Sequence, residues 1–156
     1  MNIFVLDKDL KKCAEYHNDK HVVKMILEQN QILCSVHHVI GSDLNIPYRL
    51  THKNHPCSIW ARECLENYIW LCDFTLELCK EYSYRYSKRH KSQDVVEWAI
   101  LNTANLKSLG RLTDFALAMP NEYKTDCAVE SYRNYYINDK QHLASWKNRE
   151  KPFWFK

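Results

Sequence analysis

At 156 residues, 46% apolar and 26% charged, the chain is long enough to bury a core and too apolar to remain disordered. Its 2 glycines and 4 prolines leave little material for the tight turns of an all-β fold, and no run nears the roughly 20 apolar residues that span a bilayer. The net charge of +3 is uneven: residues 85–156 hold 13 Lys/Arg against 8 Asp/Glu, a surplus suited to a polyanionic partner.

Taken in order, residues 2–7 form a short extended segment that lacks the basic start of a signal peptide. Asp7 is placed to cap a helix beginning near Lys8. Residues 9–17 and 20–40 read as helical, the second ending at Gly41. Residues 41–56 carry loop signals, and Pro56 suits an early helical position with Asn54 or His55 near its cap. A long helix is expected over residues 58–85, burying Trp60, Cys64, Tyr68, Leu71, Leu78 and Tyr82. Residues 85–91 make a basic turn, Ser92 opens a helix over 93–103, and residues 104–125 are irregular. Residues 127–137 are amphipathic, a last short helix covers 139–147, and Pro152-Phe153-Trp154-Phe155 is a stiff aromatic tail. The expected fold is all-α, a single helical domain over residues 1–156 with one long central helix and long connecting loops.

The seven cysteines are odd in number and contain no CxxC pair. Cys57, Cys64, Cys72 and Cys79 recur at helical spacing, so they read as small buried hydrophobes of a reducing cytoplasm.

Two polar clusters stand out from this framework. In the first, His17, His21, Lys24 and Glu28 have the spacing of a single helical stripe, expected to face a cleft. The second is Thr51-His52-Lys53-Asn54-His55-Pro56. One chemistry open to them is metal ligation by His17, His21, His52 and His55, with Glu28 or Asp19 completing a set around a divalent ion. Another is nucleophilic attack by an amine. An α-amino group, with a reference pKa of about 7.7–8.0, is a better nucleophile at neutral pH than an ordinary lysine at about 10.4. A short ordered N-terminus leading to the polar helix suits that role, with Lys20, Lys24 and Lys53 as side-chain alternatives.

Four stretches together resemble the pyrimidine-dimer DNA glycosylase and abasic-site lyase family, the endonuclease V type of phages, their hosts and some viruses. They are Lys20-His21-Val22-Val23 running to Glu28, Asn54-His55-Pro56 opening a helix, Glu81-Tyr82 running to Lys91, and Lys151-Pro152-Phe153-Trp154. The resemblance implies an all-α fold, no cofactor, and a cytoplasmic protein that phages or viruses also encode. It implies further that an N-terminal amine attacks the sugar C1′ of a flipped or distorted nucleotide, while the Glu28 carboxylate stabilises the cationic intermediate and assists β-elimination. Met1, Asn2, Lys20 and His21 join Glu28 as candidate catalytic residues. The family's best-known member has a small residue after the initiator Met, so that Met is removed; here Asn2 should hinder removal. Leu27 stands where the pattern has an arginine.

Lys24, His52, Asn54 and His55 are then candidates for the substrate pocket. Phosphate contacts fall to Arg85, Lys88, Arg89 and Lys91 in the basic turn, and to Arg133, Lys147 and Arg149, where cations alternate with aromatics that could stack on bases. Two other function classes fit the same residues: a histidine-ligated metal-dependent hydrolase or oxygenase acting on nucleotides, and a non-catalytic nucleic-acid-binding protein.

Overall fold

Six α-helices and two 3-10 turns, with no strand, make up the computed structural model, which describes all 156 residues. The first helix, α1 (Leu10–Tyr16), is capped by Asp9, whose side chain accepts from Lys12 N. Asp7, expected in that role, instead accepts from Asp9 N at 2.8 Å and turns the chain into the helix. Asn18 caps α2 (Asp19–Val39) by accepting from His21 N at 2.9 Å. That cap separates His17 from α2, so the four-residue stripe is not carried by one helix. After Gly41, at φ +75°, the chain loops to His55, which caps α3 (Pro56–Ala61) with Pro56 in its first turn.

The long helix expected over residues 58–85 is broken in two. α4 (Leu65–Tyr86) starts after an extended Cys64. The cause is Asn67, which donates from Nδ2 to Trp60 O at 2.8 Å and so satisfies the carboxyl end of α3. The loop beyond α5 holds the break open: Leu65 N donates to Lys107 O and Thr113 N to Asn67 Oδ1. α5 (Gln93–Leu101) and α6 (Ala128–Asp139) lie close to their expected places. The helix expected over 139–147 shrinks to a 3-10 turn, Gln141–Leu143. Asp19 draws the following residues away, accepting from Ser145 Oγ at 2.7 Å and Lys147 N at 2.8 Å.

α4 packs along α2 and α1, and one apolar core draws residues from Ile3 to Phe155. Ile3, Phe4, Val5 and Leu6 are all buried in it. At about 1.5–3 kcal/mol for each buried apolar side chain, this holds the first residues in place as firmly as any helix. The four regularly spaced cysteines are buried, although Cys57 lies on α3 and Cys64 in the break. No helix is long and apolar enough to cross a membrane.

A buried ion cluster ties the carboxyl-terminal tail to the bundle. Arg85, with no exposed side-chain surface, donates to Glu81 Oε2 at 2.7 Å, Asp19 Oδ1 at 3.0 Å and Glu15 O at 2.9 Å. Arg149 reaches the same Glu81 at 2.9 and 3.0 Å while lying over the Tyr84 ring. Burial pushes the Glu81 carboxyl up, but hydrogen bonds from the two arginines outweigh it and hold it below the usual range.

Candidate active site

The buried segment 2–6 delivers the chain's first residue to the surface between α2 and α3. Asn2 fixes the last step: its Nδ2 donates to Ala118 O at 2.8 Å, and its Oδ1 accepts from Ile3 N at 2.8 Å with the Tyr132 hydroxyl 3.1 Å away. The Met1 side chain is only 3% exposed, and its sulfur lies 3.6 Å from Ser58 Oγ. Residue 1 as a whole is nevertheless only half-buried, so its accessible part is the main chain, where the amine sits.

That amine lies 3.5 Å from Glu28 Oε2. Glu28 is 12% exposed, and Oε2, itself cut off from water, has no hydrogen-bond partner; the amine is near enough for ion pairing yet too far for a full hydrogen bond. Lys24, one turn earlier on α2, holds the other carboxylate oxygen at 3.7 Å. His55 completes the group from the start of α3. Its Nδ1 accepts from Cys57 N at 3.1 Å, which assigns the ring proton of the neutral form to Nε2. Burial lowers its pKa first, the N-terminal ammonium and His52 lower it further, and Glu28 pulls the other way. An α-amine, a largely buried carboxylate and an imidazole donor thus share one spot.

The other residues singled out in the sequence separate into three groups. His52 and Asn54 sit on the exposed turn before His55, and Lys53 O there accepts from Arg62. Lys20 is exposed and forms no ion pair, whereas Lys24 pairs with Glu28. His17 and His21 are core residues. The His17 Nδ1 is 2.7 Å from Cys13 O; the His21 Nδ1 is 2.5 Å from the Tyr136 hydroxyl, and its ring stacks on Phe4 at 4.4 Å. His21 also lies two helical turns from Glu28, which takes it out of the amine's surroundings. No group of three or more His, Cys, Asp or Glu side chains is arranged to hold a metal ion, so the set His17, His21, His52 and His55 does not converge.

Among the expected phosphate contacts, Arg85 is buried and fully engaged, which leaves it no face for a ligand. Arg149 is held by Glu81 and Glu15, Arg133 by Asp7 and the Leu6 carbonyl, and Arg89 by Asp94 and Glu97. Lys88, Lys91 and Lys147 are exposed without a carboxylate partner. Tyr132 and Tyr136 are core residues rather than stacking platforms. Reading the sequence alone missed Ser58 and Tyr132, which position residue 1. Ser58 had a signal, one turn after His55; Tyr132, 130 residues from Asn2, had none.

Residues 1–94 match the model of a protein family described as pyrimidine dimer DNA glycosylase. The match takes in the amine, Lys24, Glu28 and the turn leading to His55. No curated protein and no solved structure matches the chain.

Proposed function

This chain belongs to the pyrimidine dimer DNA glycosylase family, and on that premise we propose that it excises damaged pyrimidines and cleaves the resulting abasic site through the Met1 amine and Glu28. The observation that carries the reading is the α-amine at 3.5 Å from a carboxylate oxygen that lacks any hydrogen bond. A carboxylate so placed can take the proton that the amine must lose, and can face the positive charge that forms on the sugar.

In the proposed reaction the amine's lone pair attacks C1′, and the N-glycosidic electron pair leaves with the base. The nitrogen then loses a proton, and its lone pair closes onto C1′ while the C1′–O4′ pair goes to O4′, which is protonated, giving a protonated imine between the Met1 nitrogen and C1′. Removal of a C2′ proton then forms the C2′–C3′ double bond, and the 3′ phosphate departs with the C3′–O electrons. Glu28 relays protons one at a time. It takes one from the amine and returns it to the departing base, takes the next from the nitrogen and returns it to O4′, and then takes the C2′ proton, while the His55 Nε2–H hydrogen-bonds the opening sugar. Lys24 steadies the carboxylate and is the nearest cation to the target phosphates; Lys53, Lys88, Lys91 and Lys147 are free to meet more distant ones.

The reacting amine is that of Met1 rather than Asn2. The Asn2 side chain is committed to the interior, and the Met1 side chain is packed beside Ser58. Of the side-chain amines, Lys20 and Lys53 form no ion pair with Glu28, and Lys24, which does, is a 63% exposed side chain that meets the other carboxylate oxygen. The Glu28→Gln variant is the test. Strand cleavage of an abasic duplex should fall by about 10²–10⁴, the usual range for a positioned acid or base. Cleavage at the wild-type rate would end this assignment.

A further inference from the structure

Beside Glu28 a groove of about 260 Å³ opens, lined by Leu27, Gln31, Tyr48, Arg49 and Thr51. Leu27 and Gln31 form the row of α2 next to that of Lys24 and Glu28, each lying three residues after one of those two. The opposite wall is the loop that follows α2.

That wall is held down at points on both sides of Arg49. His38 Nε2 is 2.8 Å from Tyr48 O, and the Tyr48 hydroxyl is 2.7 Å from Ser92 Oγ. Thr51 N donates to Ser35 Oγ and Ser35 Oγ donates to Thr51 O, both at 3.1 Å. Arg49 itself is exposed between these fixed neighbours. Each other arginine of the chain has a hydrogen bond or an ion pair. Arg49 alone has neither, so its guanidinium is a fully available donor on a backbone already ordered.

We infer that this groove is a phosphodiester subsite, in which Arg49 grips the backbone phosphate of a nucleotide adjoining the one at Glu28. The inference rests on the proposed function for its substrate and adds a residue and a direction to it. Lys24 lies one helical turn before Glu28, and the groove's α2 wall runs from Leu27, beside Glu28, to Gln31, about one turn after it. A DNA strand crossing α2 at Glu28 therefore meets a cation on each side of the carboxylate. Gln31 and Thr51 present hydrogen-bonding groups along the same path, and Leu27, 41% exposed, gives the sugar an apolar floor. A planar guanidinium matches two phosphate oxygens at once, so Lys at position 49 should restore only part of the grip.

The test is binding of a duplex carrying a tetrahydrofuran abasic-site analogue, for wild type, Arg49→Ala and Arg49→Lys, across a salt series. Single uncharged methylphosphonates are then placed at each phosphate flanking the analogue. Arg49→Ala should bind about tenfold more weakly, as expected for losing one charge-assisted hydrogen-bonded contact. The slope of log K against log salt should become shallower by about 1. One methylphosphonate, next to the analogue, should weaken wild type and leave Arg49→Ala indifferent. If Arg49→Ala binds as wild type does, or if both lose equally at every methylphosphonate, the subsite is overturned while the glycosylase reading stands. Failure of wild type to bind this duplex, or to cleave one carrying a true abasic site, would overturn that reading and the subsite with it.

Discussion

His17 and His21 are expected to make the protein acid-labile in a way that can be calculated and removed. Both rings are buried. Burial is the main cause that lowers His17 to about 4, and it lowers His21 to about 2 with help from the His17 charge. An unfolded chain protonates each near its reference value of about 6.5. The folded value being the lower, stability is fully present above that reference and drains away as pH falls towards the folded value. Between pH 7 and pH 5 the difference integrates to about 2 kcal/mol for each histidine. The assay is urea unfolding at the two pH values, on wild type and on His17→Phe, which keeps an aromatic ring beside Phe74. Carboxylates contribute alike to both proteins, so the variant's loss should be smaller by about 2 kcal/mol. An equal loss in the two proteins would mean that His17 is not held neutral in the core, and would reopen its candidacy as a ligand or catalytic group.

Two further outcomes follow from the same packing. Asn2→Ala removes the bonds that fix residue 1 and should cost about 2 kcal/mol of stability, leaving polar groups of the interior unsatisfied; abasic-strand cleavage should fall by more than the unfolded fraction explains, read in one preparation by circular dichroism and gel assay. Among the cysteines only Cys127 is exposed, and burial pushes Cys13, Cys72 and Cys79 up to about 12. A thiol reagent should therefore titrate one group in the native protein and seven in urea.

Local chemistry wrote much of this fold openly into the sequence. The scarcity of Gly and Pro, the Ser92 start, and Pro56 after His55 are near-neighbour effects, and the helices they imply are present. What stayed hidden was decided at long range. Asn67 looks like any polar residue inside a helix until Trp60 O and Thr113 come to it. Asp19 reads as a first-turn acid, not as the anchor that unwinds residues 145–147. The site divides in the same way. Glu28, Lys24 and His55 were visible as polar residues at helical spacing or beside a proline. His17 and His21 had the same spacing and went into the core, because a neutral imidazole can satisfy a backbone carbonyl or a tyrosine there. Arg85 was part of a basic run that looked solvated, and Glu81, Asp19 and Glu15 O have claimed it. Arg49 lay outside every cluster, and only the folded loop sets it across a groove from Leu27 and Gln31.

The central claim is that the Met1 amine is the nucleophile beside Glu28. Incubation with an abasic-site duplex and borohydride, followed by proteolysis and mass spectrometry, tests it most directly, because reduction freezes an imine at the nitrogen that formed it. A covalent sugar adduct on the amine of Met1, greatly reduced in Glu28→Gln, is the expected result. An adduct on a lysine side chain or on Asn2, or none from folded protein that binds the duplex, would contradict the account.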